Sequence, residues 1–408
     1  MFKKKYILPV LLCFGCLTLF SCGGTLFMAD SSLSSKKYDD AISLYKEYLA
    51  EQPDSVQARS RLGFAYLKTG RLDQAIEEFN TVLKAEPGEP YSILYLGLAY
   101  LNKGLYGETI KTWQTYRNKK QPLVEQEIKR LLTLVVIAES QQLAKKAVEE
   151  EEKLKTDRTD KNTVAVCYYK DLSPDKSMLA FQKGLAAMVI TDMSKIKSLK
   201  VVERLRLQAL LEEMNLGKIG IVDEQTAPRV GRLLGAENLV VGNLTLGINA
   251  TTSLASSGEG AVKGTSICTE KQEDFFLLPC CIVQKSAKII GVSLSSEELS
   301  ETCIPHTKNY DAFIYFGEGL DALDAGKWSE ARDFFEKALR EDPQFMLAKI
   351  WADSCPSPTA PSISGLKSMT AVEVASHVEA GVDSAIMEQK AVGQEAAEAG
   401  QDDGGGGH

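Results

Sequence analysis

Residue types recur at intervals of 34 through the first part of the chain. Ala41, Ala75 and Thr109 are in step, as are Tyr45, Phe79 and Trp113, Gly63 and Gly97, Tyr66 and Tyr100, Gly70 and Gly104, and Pro53 and Pro87. A repeat of this length encodes a pair of antiparallel helices that cannot bury its apolar face alone, so successive pairs must stack. Small residues such as Gly63, Ala65 and Ala75 let the two helices approach closely, while Leu62, Tyr66, Phe79 and Leu83 fill the seam between pairs. Proline, at Pro87, ends the second helix.

This spacing resembles the tetratricopeptide (TPR) repeat. The first unit lacks a good first helix, because the positions before Tyr38 fall in "MADSSLSSKK", and the third has Thr109 in the alanine slot and no proline in register near Gln121. The expectation is two and a half hairpins from about Ser31 to Lys120. The stripe Val124, Ile128, Leu131, Val135, Ala138 then supplies a capping helix that ends in a solvent-facing acidic run. A second instance of the pattern, Gly319, Gly326, Trp328, Ala331, Phe335, Ala338 and Pro343, stands out of phase with the first, with Glu318 where the pattern wants leucine. It belongs to a separate hairpin. Aromatics at these spacings are core first and binding surface second.

Between the two repeat regions the period changes. "TVAVCYY" is a short β-branched run, followed by a helical face of Phe181, Leu185, Met188, Val189, Met193 and Ile196. "LKVVER" makes a second strand, "RLQALLEEM" and "TAPRVGRLLG" two helices, the latter ended by Gly235, and "ENLVVGNLTLGI" a third strand. Alternating strands and helices predict an α/β layered sheet. Two weaker strands surround a turn at Ser256–Gly260; a helix with Pro279 as a kink or late start and a capped short helix at "SSEEL" follow.

These residues resemble the domain of the curli secretion channel lipoprotein family (CsgG-like). The resemblance lies in Val201, Val202, Glu203 and Arg204 at a strand end, the leucine-rich Leu210–Leu216, the glycine-rich Gly217–Ile221, Gly231, Gly235 and Ala236 before a strand, and Val240–Gly242 within it. It covers about Thr163 to Leu246, with a looser continuation to Gly291. It implies a periplasmic body of a secretion channel or a related envelope lipoprotein.

The chain begins with three lysines and an apolar run from Tyr6 to Phe20, then Ser21, Cys22, Gly23 and Gly24. The run is too short and wrongly flanked for a membrane span. It resembles the bacterial lipoprotein signal, which implies lipidation of Cys22; an ordinary signal peptide or an uncleaved anchor is the alternative. Gly23 is not the aspartate that the resemblance associates with inner-membrane retention, which points to the outer membrane. Beyond the signal and Cys22 remain Cys167, Cys268, Cys280, Cys281, Cys303 and Cys355. An oxidising compartment permits disulfides, but six cysteines allow 15 pairings and the sequence selects none; Cys167 lies in an apolar run and Cys280–Cys281 in a helix, so buried or idle thiols are the favoured reading there.

No catalytic constellation is visible. His306, His377 and His408 are the only histidines, without partners at metal-ligand or general-base spacing, and "GEGAVKG" from Gly258 is no phosphate-binding loop. Glu203 with Arg204 could act as an acid and an anion clamp, but a structural salt bridge is the preferred reading. With 47 Lys+Arg against 55 Asp+Glu there is no basic field to gather nucleic acid. The expected architecture is α+β multidomain: signal peptide 1–21, TPR helices 22–120, connecting helix 121–158, CsgG-like α/β domain 159–292, C-terminal TPR-like hairpin 293–352, and low-complexity tail 353–408 with a helix near Thr370–Gln389. The packing positions are Gly63, Tyr66, Ala75, Phe79, Pro87, Gly97, Tyr100, Trp113, Gly319, Ala331, Phe335 and Pro343; the CsgG-like motif adds Gly242 to the residues above. The functional expectation is a noncatalytic, cofactor-free outer-membrane lipoprotein, facing the periplasm, whose TPR groove docks protein partners in envelope assembly or secretion. Homo-oligomerisation is left open, and a subunit of an oligomeric export channel is the alternative.

Overall fold

Antiparallel helices pair closely in the first part of the chain because one partner offers no side chain at the crossing. The computed structural model describes residues 14–117, 119, 122–153, 159–173, 178–216, 222–245 and 248–356, and these divide into two compact units at Ile128/Lys129. In the first, α1 (Phe14–Ser34), α2 (Tyr38–Glu51), α3 (Val56–Lys68), α4 (Leu72–Ala85), α5 (Pro90–Asn102) and α6 (Tyr106–Trp113) stack as consecutive hairpins. A Cβ at Gly63 would lie 2.7 Å from the Phe79 ring, and one at Gly97 would lie 1.9 Å from Trp113. Each aromatic ring therefore occupies the space that a side chain would take. Ala41, Ala75 and Thr109 are fully buried at the equivalent step, and the Thr109 hydroxyl is satisfied by the carbonyls of Leu105 and Gly97.

The first hairpin is complete, which corrects the expectation that it lacks its first helix. Ala29 occupies the slot held by glycine in the next two repeats and is fully buried, and the Tyr45 hydroxyl donates to Asp30 at 2.6 Å. The serines that argue against a helix cost little, since Ser31 and Ser34 are exposed. A seam of one small residue and one polar anchor suffices.

The helix α7 (Pro122–Glu149) follows, and its end joins the core of the second unit: Ala144 is buried there, with Ala147 and Val148 packed against the same cluster. This unit continues through β1 (Asp160–Val166), β2 (Lys170–Asp171), α8 (Leu179–Met193), β3 (Lys200–Val201), α9 (Arg204–Glu213), α10 (Ala227–Leu234), β4 (Ala236–Thr245), β5 (Asn249–Ser256) and β6 (Val262–Thr269). It then runs through α11 (Leu278–Ile290), α12 (Ser296–Glu301), α13 (Tyr310–Asp324), α14 (Trp328–Glu341) and α15 (Met346–Ser354). The sheet order is β3-β1-β4-β5-β6 with β2 also beside β4; β1, β2, β3 and β4 pair in parallel and β4, β5 and β6 antiparallel. Alternation along the strands sends Ala165, Cys167, Leu239 and Val241 to a core with Leu210, Leu211 and Val230 of α9 and α10. The helix α8 also packs against β1 and β2, and α11 against β5, β6 and α8. The strand expected at "LKVVER" is only Lys200–Val201: Val202 makes the last ladder bond, donating to the Val164 carbonyl at 2.8 Å, and Glu203 is already the N-cap of α9. Pro279 marks a late helix start, in the first turn of α11, and Ser295 with Glu298 forms a capping box on α12.

The late hairpin is not free-standing. A Cβ at Gly317 of α13 would lie 1.9 Å from the Ala180 carbonyl oxygen of α8, and one at Gly184 of α8 would lie 2.8 Å from Phe313. Backbone meets backbone at this crossing. Phe181 and Phe313 then pack edge to face at 4.7 Å. Within the hairpin, Gly319 receives the Phe335 ring as Gly63 receives Phe79.

Four of the cysteines are paired, which corrects the reading of Cys280 and Cys281 as idle thiols. Cys268 on β6 is bonded to Cys281, and Cys280 to Cys303 in the loop before α13, so two adjacent residues of α11 staple it in two directions. Cys167 and Cys355 are buried free thiols, and burial pushes Cys167 up to about 12 and Cys355 up to about 11. The Gly217–Ile221 turn, the signal before Phe14 and the tail from residue 357 lie outside the described residues.

Gly317→Leu should cost about 3 kcal/mol by overpacking the α8–α13 crossing, read as a lower urea midpoint at unchanged slope. The pair Cys280→Ser/Cys303→Ser should lose about 2–4 kcal/mol. On thiol-blocked, non-reducing gels the wild-type chain should run faster than after reduction, and an unchanged mobility would remove the staples.

Candidate functional site

In the first unit the helices that open each hairpin, α1, α3 and α5, line a groove of about 600 Å³. Leu33 comes from α1, Val56, Gln57, Ser60, Arg61 and Phe64 from α3, and Tyr91 and Tyr95 from α5, with Glu86 and Glu89 at the rim. The repeat explains this division of labour. Gly63 and Tyr66 face the seam, whereas Phe64, one residue on from Gly63, turns out of it and packs on Tyr95 with ring centroids 4.7 Å apart. Lys68 lies 5.4 Å from the Phe64 ring centroid. Tyr91 is 45% exposed and one helical turn from Tyr95, so the groove shows an aromatic row to solvent.

Its polar groups are mostly engaged. Arg61 pairs with Asp30 across α3 and α1, Arg59 with Glu78 at 3.0 Å, and Ser60 with Ser92 at 3.1 Å. The Glu89 carboxylate caps α5 by accepting from the backbone N–H groups of Tyr91 and Ser92. What remains for a ligand is apolar area with fixed polar edges. Such a surface suits an extended or helical peptide segment rather than a reacting small molecule.

The other expected residues are packing positions. Ala75, Phe79, Trp113, Ala331 and Phe335 are buried, Tyr66 is buried with its hydroxyl pKa raised by desolvation, and Pro87 and Pro343 follow the ends of α4 and α14. Tyr100 is half-buried on α5. Gly231 brings α10 onto β4, since a Cβ there would lie 1.8 Å from the Ser257 hydroxyl and 2.3 Å from Leu239. Gly242 makes room for Tyr169, whose hydroxyl is hydrogen-bonded to that of Thr252. Gly235 ends α10 with φ +71° and Ala236 opens β4, while Val201 ends β3 and buried Val202 joins the α9–α10 core. Cys22 falls within α1.

Glu203 and Arg204 do not form the salt bridge expected between strand-end neighbours. Arg204, at the start of α9, is 4% exposed and donates through Nη1 to both oxygens of Asp324 at 2.8 and 2.9 Å and to the Tyr168 hydroxyl at 3.1 Å. Lys183 reaches the same carboxylate at 2.9 Å, and Trp351 lies over the guanidinium at 5.2 Å. Burial works against the arginine charge, but Asp324 and Tyr168 more than offset it and its pKa rises. The pair joins the α/β sheet region to the end of α13.

His306, expected without a partner, has one: its Nε2 lies 3.0 Å from buried Asp192, which also accepts from Lys195 at 2.7 Å. Lys195 donates onward to the Glu301 carbonyl. The cluster ties the loop before α13 to α8. Among the described residues no group of three or more His, Cys, Asp or Glu side chains could hold a metal ion, and no helix is long and apolar enough to cross a membrane.

Asp324→Asn should destabilise the chain by about 3–5 kcal/mol by stranding the Arg204 charge, whereas Arg204→Met/Asp324→Leu should recover most of that loss. Urea unfolding of the two variants checks the difference.

Comparison with known proteins agrees with this division. Residues 32–97 match the tetratricopeptide repeat model, residues 312–345 match a second tetratricopeptide model, and residues 137–297 match the model for the curli production assembly/transport component CsgG. No curated protein sequence matches the chain. Similar solved structures include yeast Tom70, 14% identical over 87% of this chain and 67% of that one with a TM-score of 0.27. A tetratricopeptide repeat protein from Parabacteroides merdae is 12% identical over 82% and 98% with a TM-score of 0.28, and the TPR domain of P58(IPK) is 12% identical over 82% and 77% at 0.29. Superpositions this low carry no argument about arrangement or partner. The family matches, set on the helices and sheet described above, show a chain in which tetratricopeptide repeats flank a CsgG domain.

Proposed function

We propose that this protein is a noncatalytic adaptor of the bacterial envelope, lipidated at Cys22 and held on the periplasmic face of the outer membrane, whose N-terminal TPR groove docks a protein segment in assembly or secretion. The observation that carries the reading is the open aromatic row of Phe64, Tyr91 and Tyr95 on helices whose seam residues are otherwise buried. Exposed aromatics on a rigid scaffold are the side chains that anchor protein interfaces. The two disulfides support residence outside the reducing cytoplasm.

Within the CsgG region, the β5–β6 hairpin supports an adaptor rather than a pore-forming subunit. β5 is hydrogen-bonded to β4 along its length, and its Ala250, Thr252 and Leu254 side chains are buried. Cys268 fastens β6 to α11, and Lys285 of α11 donates to the Ile267 carbonyl at 2.6 Å. The large apolar side chains that β6 exposes, Val262 and Ile267, stand apart among Lys263, Thr265 and Ser266 and make no continuous apolar band for a bilayer.

The test is crosslinking in intact cells followed by purification of the full-length chain, wild type against Phe64→Ala/Tyr91→Ala. The wild type should retain specific crosslinked partners that the variant loses by about tenfold or more, because removing two interface anchors typically costs more than 1 kcal/mol each. Melting of the variant controls for folding. Identical partner recovery from a folded variant would overturn the groove as the docking site.

A further inference from the structure

We infer that the exposed apolar residues Phe27 and Met28 seat α1 on the lipid surface, so that the first TPR helix is a membrane-contact element as well as half of a repeat. The inference rests on the lipid-anchor reading of Cys22. The helix α1 runs without a break from Phe14 to Ser34 and so contains Cys22. It is also fixed to its neighbours: Ala29 is fully buried, and Asp30 accepts from Tyr45 on α2 and pairs with Arg61 on α3. On the anchor reading residues 1–21 are removed and Cys22 becomes the first residue, so the part of α1 that remains, Cys22 to Ser34, runs from the acylation site into the packed repeat with no linker between.

The distances follow from helical rise. At 1.5 Å per residue, Phe27 and Met28 stand about 8–9 Å along the axis from Cys22, and Leu33, which lines the groove, stands about 16 Å away. The polar layer of a bilayer is about 5–7 Å deep on each side. A helix standing upright from a cysteine acylated at the base of that layer would carry Phe27 and Met28 just past it, so the contact requires α1 to lie inclined to the bilayer with these two side chains facing down into the layer.

The composition of the helix agrees with that placement. Phe27 is 74% exposed and Met28 is 56% exposed, next to the fully buried Ala29. No charged residue occurs in α1 before Asp30. An uncharged helix end with two large apolar side chains in solvent, on the same helix as an acylated cysteine, fits an interfacial lipid surface. A second copy of the chain is the competing occupant. With α1 resting on lipid, the groove would be held at a set height above the bilayer, where it meets segments emerging from the membrane surface first.

The test uses full-length, acylated protein reconstituted in phosphatidylcholine/phosphatidylglycerol vesicles. Phe27→Trp should add emission that is blue-shifted on the vesicles and lost when the acyl chains are brominated, after subtraction of the wild-type signal. Tyr91→Trp, in the groove, should add emission that bromination leaves unchanged. If the Phe27→Trp emission resists bromination while mass spectrometry shows the acyl groups and the protein floats with the vesicles, the contact is overturned and the anchor stands. A blue shift that resists bromination and grows with protein density identifies a second copy as the occupant and overturns it likewise. If the purified wild type carries no acyl group, or Cys22→Ser still floats after a high-salt wash, the anchor reading fails and the contact falls with it.

Discussion

An aromatic ring seated against a position without a side chain is the contact on which both helical regions depend. Phe79 lies on Gly63, Trp113 on Gly97 and Phe335 on Gly319, each where a Cβ would come within 2.7 Å of ring atoms. The ring fills the volume that keeps two helices apart, so the pair closes to near backbone contact and buries its apolar stripe. Dispersion between close-packed surfaces falls off steeply with separation, which is why the small residue matters as much as the large one. Phe313 against Gly184 uses the same device to attach a hairpin to an α/β layer.

That device is written in sequence as spacing, so the repeats were legible. Glycine, alanine and an aromatic at fixed steps locate Gly63, Ala75 and Phe79 without reference to any coordinate, and the β-branched runs locate the strands at β1 and β4. The first helix was harder to see because alanine at Ala29 replaces glycine and the following serines carry no periodic signal. Both choices are physically adequate: a methyl group still fits the seam, and the serines face water. The groove was legible only in outline. Which aromatic faces outward depends on a single step along α3, from Gly63 in the seam to Phe64 out of it, and that step is set by how neighbouring hairpins stack.

The long-range polar links were the least legible part. Arg204 and Asp324 are far apart in sequence, and nothing local to either tells that the other will lie beside it. The neighbour Glu203 offered a local partner for Arg204, but a side chain at the first position of α9 points into the sheet–helix junction while Glu203 remains outside the helix as its N-cap residue. The cysteines pose the same difficulty in covalent form. Cys280 and Cys281 are adjacent on a helix, so their side chains diverge by about 100°, and that divergence is what lets one reach β6 and the other the loop at Cys303. Pairing was decided by the fold around α11, not by spacing.

The two TPR regions therefore share a grammar but not a role. In the first, the helices that open the hairpins leave Phe64, Tyr91 and Tyr95 on an open groove, and the polar groups along it are held by one another. In the second, the corresponding helix α13 spends its face on α8: Gly317 sits on the Ala180 carbonyl, Phe313 on Gly184, and Asp324 holds the buried Arg204. A face used that way has little left for a ligand. The late hairpin is thus a structural extension of the CsgG region, braced further by the Cys280–Cys303 staple at its entrance. Two copies of one motif diverge in function through what their first helix touches, since the seam that makes them hairpins is the same in both.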